Sequence, residues 1–580
     1  MHALPEIYVI VGYLAVLMLA GFLFRNLNVD TSDYFRGGCR TVWWLAGASM
    51  FVANISARTF TANAGAVYEA GLSIVFVYGG VMAGTLFQYI FLAARFRQTR
   101  AITFPEILRD RFGPSVQQLY AYKQVVVFAI IAGFWLWGLA IFVSAVFSLD
   151  ILLVIVVLGL VVLVYSTTGG SWAVMSTDFL QGVIMVAMTL LLSLLCLIEL
   201  GGLGSLIESI RLAGLWPDYK LVKDAGEFAR NQYSLPWGLA IFGYIVVADA
   251  NFSGAPRYFV VKDGREAKRT ALLSLCLQLL FLPLIVIPPI TARLLYSEQV
   301  AAAALGKPAE AAYAVSSLEL LPPAMIGLMV IAMFASSMSS MDTGINRNAA
   351  IVVRDILPAL RRLFGKPGTP GKHEMLLNRS ISAFFGLCVI GTALYLAASS
   401  NEGMFEVVNA FGALVGLPLA IPLFFGMLMK RLPRWTPLAS IPAALVPSAL
   451  ALYDSKVRGE PWDYAAQVFW VFTAGLAAVV VARLSWRLCS RRERKCVLRF
   501  FRKMNTPVDF ESEVGNAIDS SQLNRLGLLS TLVAVFIATT IVFAHSLRDL
   551  ACILGVAAFI GGIGVILLVK ARKASSQRSA

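Results

Sequence analysis

Charged residues are scarce in this chain of 580 residues. Asp, Glu, Lys and Arg make up only 14% of it, whereas 58% of the residues are hydrophobic. This composition excludes an ordinary soluble domain and is typical of a polytopic membrane protein. Histidine is nearly absent: the three copies lie at positions 2, 373 and 545, and the chain has no metalloprotease, serine-hydrolase or phosphate-loop motif. We therefore do not expect an enzyme.

Acidic residues and paired cysteines are also few. The chain has 33 acidic and 48 basic residues, for a net charge of +15, and its seven cysteines lack metal-site spacing. In a soluble protein this charge would suggest nucleic acid as a partner. Here the basic residues collect in alternate loops, as membrane orientation predicts. We expect a lipid bilayer and a small-molecule solute as partners, no nucleic acid, and no obligate protein partner.

The sequence contains about 15 apolar segments long enough to cross a bilayer, at about 20 residues per crossing. They lie near 7–25, 43–67, 72–94, 120–147, 150–168, 174–200, 236–258, 270–293, 320–345, 379–398, 405–429, 437–453, 465–486, 525–545 and 549–570. The first has no basic leader or cleavage site, so it is expected to remain as a helix. The basic loops, above all the linker at 487–523, predict a cell-membrane protein with its N-terminus outside and its C-terminus in the cytoplasm. The linker itself is expected to be an amphipathic membrane-surface segment.

The second span is interrupted by polar and small residues. Asn54-Ile55-Ser56-Ala57 stands in the middle of a segment that would be Leu and Val if it faced lipid continuously. This pattern predicts an unwound helix, whose freed carbonyl oxygens can replace the water shell of a monovalent cation. The alternative is that Asn54, Ser56 and Thr59 are small-residue contacts between helices.

A hydroxyl stripe interrupts the ninth span. Ser336, Ser339, Ser340 and Thr343 recur at i, i+3, i+4 and i+7, so they share one helix face. These hydroxyls can complete an oxygen shell that the broken helix begins. Close packing is again the alternative, since Ser336 and Ser340 also fit a small-x-x-x-small pattern.

The start of the sixth span carries a specific resemblance. The run from Tyr165 to Gly182, with Tyr-Ser, Gly-Gly, Trp-Ala-Val, Thr-Asp and Gln-Gly in order, resembles the signature of the sodium:solute symporter family. Further stretches agree in order and spacing: they are Trp44–Ser49 leading into Asn54-Ile55-Ser56, Ser339-Ser340-Met341 leading to Asn346, and Arg257-Tyr258. The likeness covers roughly residues 8 to 430.

The resemblance implies an all-α polytopic fold with a LeuT-type core of two inverted five-helix repeats. One additional helix precedes the core and about four follow it. The expected divisions are 1–42 (N-terminal helix and loop), 43–200 (first repeat), 201–235 (extracellular loop), 236–430 (second repeat) and 431–580 (C-terminal helices with the basic linker). The family's common Na+ site would use backbone carbonyls of Val52, Ile55 and Ser336 with the hydroxyls of Ser339 and Ser340.

A second Na+ site, found in some members of the family, would be built around Asp178 with Asp342 and Thr343. Asp342 is a departure, because other members more often have a small hydroxyl residue there. Two nearby carboxylates repel each other unless a cation lies between them or one is protonated. Asp342 therefore either strengthens a second sodium site, or couples proton movement, or faces the cytoplasm and pairs with Arg347 or Arg354.

The resemblance limits the substrate only partly. Family sugar transporters have Gln or His where this chain has Thr59 and an acidic residue where it has Tyr78, which disfavours a sugar. Asp249 falls at the position of a substrate-binding Asn, with Asn251 nearby and Phe252 at an aromatic gate.

Asp249 is suited to a substrate ammonium, helped by cation–π contacts from Trp135 and Trp137. The alternatives are that the tryptophans are packing aromatics and that Asp249 pairs with Arg58. If Arg58 instead points into the cavity, a carboxylate or a zwitterion fits.

We therefore expect sodium-coupled symport of a small amine, amino acid or carboxylate by alternating access. The alternatives are a proton-coupled or mixed-ion symporter of the same fold, or a transporter-like solute sensor.

Overall fold

The protein is almost entirely helical. The computed structural model describes residues 4–24, 39, 41–101, 103–165, 171–252, 255–358, 374–399, 403–513 and 520–579; some side chains within these ranges are not described. The helices are α1 Leu4–Phe24, α2 Trp43–Ala53, α3 Ala57–Phe60, α4 Ala62–Ala70, α5 Val75–Phe87, α6 Ala93–Gln98, α7 Phe104–Phe112, α8 Pro114–Phe147, α9 Ile151–Tyr165, α10 Ser171–Glu199, α11 Leu203–Leu212, α12 Leu235–Phe252, α13 Ala255–Phe259, α14 Gly264–Leu295, α15 Ser297–Ala301, α16 Ala312–Leu320, α17 Met325–Ile351, α18 Glu374–Ser399, α19 Met404–Phe411, α20 Leu417–Leu428, α21 Thr436–Tyr453, α22 Tyr464–Leu484, α23 Arg491–Asn505, α24 Phe510–Glu513, α25 Ser520–Thr539 and α26 Leu547–Ser579. Within these residues the only β pairing is an isolated bridge between Thr41 and Val261.

Eleven helical segments of the described chain are long and apolar enough to cross a membrane. Four shorter apolar helices accompany them, beginning at Leu4, Trp43, Ile151 and Met325. The polytopic all-α class is confirmed, while the number of about 15 crossings stays a prediction.

The helices form two packed groups with α10 between them. In the first group α2 packs on α14, and α5 packs on α12. In the second group α8 packs on α17 and α18, and α9 packs on α18. Because α10 contacts both α2 and α17, it holds the broken second span beside the hydroxyl stripe.

Residues Arg491–Asn505 of the basic linker form an amphipathic helix, as predicted, but this helix lies on protein. Helix α23 buries Val497, Phe500, Phe501 and Met504. The Arg111 guanidinium stacks on the Phe501 ring, 5.3 Å from its centroid, and burial lowers the pKa of Arg111 to about 9. The expectation of a membrane-surface helix is therefore wrong for its apolar face, because that face packs on α6 and α7.

Candidate functional site

The second span is broken where its polar residues predicted. Helix α2 ends at Ala53 and α3 begins at Ala57, with Ser56 in an extended conformation (φ −140°, ψ 176°) between them. The carbonyl of Val52 accepts one bond from the Ile55 amide at 3.0 Å and keeps a second lone pair. The unwound backbone is confirmed, and it interrupts the helix between two apolar segments.

Helix α17 contacts this break through a serine that the sequence reasoning missed. The Ser337 hydroxyl accepts a hydrogen bond from the Ala57 amide at 3.0 Å, so it caps the first residue of α3. Ser336 is buried and donates to the Met333 carbonyl at 2.9 Å, while Ser340 is half-buried. The side chains of three predicted ion ligands, Ser339, Asp342 and Thr343, lie outside the described residues, as do those of Arg347 and Arg354.

Asp178 is held by two partners in the core. Its Oδ2 accepts hydrogen bonds from the Ser49 hydroxyl at 2.8 Å and from the Arg257 guanidinium at 3.1 Å. One turn further along the same two helices, a Cβ on Gly182 would lie 2.4 Å from a methyl group of Val52. The α2–α10 contact is therefore very close here, and it places the predicted ion ligands Asp178 and Val52 at one helix interface.

A cavity of about 360 Å³ opens beside the break, within the size range of small-molecule sites. Four of the predicted substrate residues, Thr59, Tyr78, Trp135 and Asp249, line it. The other lining residues are Phe51, Ala53, Asn54, Ile55, Ser56, Arg58, Asn63, Val77, Val81, Met82, Tyr244, Ile245, Ala248, Gln278, Phe281, Leu282, Ile285, Val408 and Asn409. The side chains of the predicted Asn251 and Phe252 lie outside the described residues. Trp137 is buried in the hydrophobic core and does not line the cavity.

Asp249 and Arg58 belong to different networks in the cavity wall. The Asp249 Oδ2 accepts from the Gln88 side-chain amide at 3.3 Å and from the Thr85 hydroxyl at 3.5 Å. Arg58 donates from Nη2 to the Asn409 Oδ1 at 3.3 Å and has no carboxylate partner within the described chain. The alternative pairing of Asp249 with Arg58 is therefore wrong, and the guanidinium lies in the wall of the cavity.

A cluster of charges lies one helical turn from Asn409. Lys307 pairs with Glu69 at 2.9 Å and with Glu406 at 2.7 Å. Beside it, the buried Glu310 accepts from the Met404 amide at 2.6 Å, and burial raises the pKa of its carboxyl group to about 7. These contacts join the loop before α16 to the ends of α4 and α19.

Sequence reasoning missed four polar residues of the cavity: Asn63, Tyr244, Gln278 and Asn409. Asn409 had a detectable signal, because an amide inside an apolar span is costly unless it has a partner or a ligand. Asn63 and Gln278 carry the same signal, whereas Tyr244 stands among apolar residues without such a contrast. Only the folded arrangement brings them to the cavity.

Comparison with known proteins agrees with this architecture. The model of the sodium:solute symporter family matches residues 34–440. Sodium/glucose cotransporter 1 of Mus musculus is 27% identical over 460 residues, which cover 73% of this chain and 68% of the relative. Sodium/myo-inositol cotransporter 2 of Sus scrofa is 28% identical over 457 residues, covering 73% and 66%.

A solved structure shares the fold. A Na+-coupled sialic acid symporter superimposes with a TM-score of 0.68 at 19% identity, covering 84% of this chain and 99% of that one. The expected LeuT-type fold is thus confirmed, and the family and its relatives are sodium-coupled membrane transporters rather than enzymes. The chain belongs to the sodium:solute symporter family.

Proposed function

We propose that the protein carries a small amine, amino acid or carboxylate across the cell membrane together with Na+, in preference to a sugar. The observation that carries this proposal is the pair of opposite charges, Arg58 and Asp249, in the wall of one cavity beside a broken helix. A neutral sugar would leave the buried guanidinium without a counter-charge, which is costly in a medium of low dielectric constant. A charged or zwitterionic solute compensates it.

The names of the relatives point to neutral solutes, glucose and myo-inositol. At about a quarter sequence identity, the residues that line the cavity can differ between this chain and these relatives. Thr59 and Tyr78 stand where the family's sugar transporters have a Gln or His and an acidic residue. The charges in the wall of this cavity therefore favour a charged or zwitterionic solute over the neutral solutes of these relatives.

The common Na+ site of the family is proposed at the break. The carbonyls of Val52, Ile55 and Ser336 and the hydroxyls of Ser339 and Ser340 would supply five oxygen ligands. Two features support this proposal: α2 ends next to these carbonyls, and α17 contacts the start of α3. Oxygen ligands of this kind suit a hard monovalent ion.

A second Na+ is proposed near Asp178, with Asp342 and Thr343 as further ligands. It requires Asp178 to exchange its bond from Arg257 for a bond to the ion. Each cation that moves inward gains about 2.3 kcal/mol per 100 mV of membrane potential, so a second ion would double the electrical driving force. The Asp342→Ser variant should then lower the sodium Hill coefficient; unchanged sodium cooperativity with an altered pH profile would favour proton coupling.

The proposed orientation follows the basic residues. Arg100, Arg111 and the linker helix α23 lie at one end of the helices, which we assign to the cytoplasm. The N-terminus then lies outside, and the Lys307 cluster faces the exterior. The divisions at 43–200, 201–235 and 236–430 are proposed as the two repeats and the loop that joins them.

Sodium-gradient uptake into proteoliposomes tests the function. The vesicles are given a sodium or a potassium gradient and a panel of amines, amino acids, carboxylates and sugars. We expect electrogenic uptake of a charged or zwitterionic solute with sodium only. Equal uptake with both gradients, or uptake confined to neutral sugars, would contradict the proposal.

A further inference from the structure

We propose that Arg58, Asn409 and Asn54 form a receptor for a carboxylate group, so that every transported solute must carry one. This inference rests on the proposed function and narrows it. Amino acids and other organic acids remain, whereas simple amines and neutral sugars are excluded. Three side-chain nitrogens with unused N–H groups in the wall of one cavity carry the argument.

Arg58 provides the charge of the receptor. Its Nη2 is used by Asn409, while its Nε is buried without any hydrogen-bond partner. Within the described residues no Asp or Glu oxygen lies within 4.0 Å of the guanidinium. Because a guanidinium presents its donors as a planar fork, it matches the two oxygens of a carboxylate.

Asn409 provides a second donor whose direction is fixed by Arg58. A guanidinium can only donate, so the Asn409 side chain must turn its oxygen toward Arg58. The Nδ2 of Asn409 is then left without a partner, although the residue is only 4% exposed. A bound acceptor would satisfy this buried amide.

Asn54 adds a third donor from the helix break. Its Nδ2 is also buried without a partner, and the residue follows the last residue of α2. Donors from α2's end, α3 and α19 therefore converge on one cavity. Buried polar groups in proteins are nearly always hydrogen-bonded, so three unused donors together indicate a ligand with acceptor atoms.

The size and lining of the cavity favour an organic acid over an inorganic anion. Its volume of about 360 Å³ far exceeds that of a single chloride, and Tyr78, Trp135 and Phe281 supply aromatic walls for an organic body. Asp249 also lines the cavity and would repel a second acidic group. A monocarboxylate, with or without an amino group, fits this arrangement best.

Matched ligand pairs test the receptor in the purified full-length protein. Thermal stabilisation in sodium is measured for amino acids against their amides, for hydroxy acids against their methyl esters, and for uronic acids against the corresponding sugars. Each comparison is made once in a chloride buffer and once in a sulfate buffer, both free of carboxylates such as gluconate. We expect stabilisation by carboxylates in either buffer, with each partner that lacks the carboxylate at least about 30-fold weaker. A partner without the carboxylate that binds as well as its acid, or stabilisation that follows chloride alone, overturns the inference.

Substitutions in the receptor give an independent readout. In Asn409→Asp the new carboxylate lies beside Arg58 and competes for it, so we expect a higher thermal midpoint without solute and at least about 30-fold weaker carboxylate binding. Arg58→Lys keeps the charge but loses the fork, and it should bind carboxylates with intermediate affinity. Arg211→Gln, an exposed arginine outside the cavity, is the control and should behave as the wild type.

Sodium dependence separates this inference from the proposed function. Each variant is first checked for stabilisation by sodium alone, which shows that it is folded with its ion site intact. If wild type and Arg58→Lys both take up an amine or a sugar with sodium at the same rate, the receptor is wrong and symport stands. If no solute uptake depends on sodium, the proposed function itself fails.

Discussion

Glu310 is a carboxyl group buried among charges, and its titration should be visible in the stability of the protein. It lies beside the ion pairs of Lys307 with Glu69 and Glu406, and it accepts a bond from the Met404 amide. Only 4% of Glu310 is exposed to solvent. Burial disfavours its ionised form and raises the pKa to about 7 from an ordinary value of 4.5, against the opposing effect of Lys307.

The sign and size of the effect follow from this shift. Between about pH 4.5 and pH 7 the folded protein retains a proton on Glu310 that the unfolded chain has lost. The fold is therefore most favoured below this window and loses stability as pH rises through it. The full shift corresponds to about 3 kcal/mol. The Glu310→Gln variant keeps the oxygen that accepts from Met404 and cannot ionise, so it should escape this loss.

The assay compares thermal unfolding of wild type and Glu310→Gln in detergent at fixed sodium, from pH 4.5 to pH 8.5. We expect the two proteins to coincide at the acid end and the variant to be more stable above pH 7. Glu319→Gln, an exposed glutamate on the helix that follows, is the matched control and should show no such divergence. A difference between Glu310→Gln and wild type that does not change with pH would refute the reasoning.

Three further predictions concern the ion site and the cavity. Ser340→Ala should raise the sodium concentration needed for half-maximal uptake, measured in proteoliposomes; unchanged sodium activation would remove Ser340 from the site. Asp178→Asn leaves the guanidinium of Arg257 without its buried counter-charge and should destabilise the protein by about 3–5 kcal/mol in denaturant titrations, whereas a loss below about 1 kcal/mol would mean that the pair is solvated. Gly84→Ala would place a methyl group 2.7 Å from the Asp249 Oδ2 and should lower uptake with little change in sodium affinity; normal uptake would show that Asp249 has room to move.

The helix break and the hydroxyl stripe are features that the local sequence pattern predicted. Asn54 and Ser56 interrupt an apolar span. A break in the helix was predictable there, because polar groups inside a membrane cost free energy and usually mark a functional position. The serines of α17 were predictable as one face, because residues three and four apart lie together on a helix. Neither pattern identified Ser337, which the helix period places off the predicted stripe and which nevertheless caps Ala57.

The sequence predicted the helix of the basic linker but not the surface on which this helix packs. Its basic residues and apolar face predicted an amphipathic helix, which α23 is. The sequence pattern contained no information about what would cover that face. Arg111, almost 400 residues earlier in the chain, supplies part of the cover.

The sequence by itself determined the membrane class, the helical fold and the family, because hydrophobic length, helix period and a contiguous signature are local properties of the chain. Tertiary structure decided which charges meet. Helix packing keeps Asp249 apart from Arg58, which donates a hydrogen bond to Asn409 instead. It also pairs Asp178 with Arg257. These pairings join residues up to about 350 positions apart, and only helix packing brings such residues within the few ångströms over which charges and hydrogen bonds act.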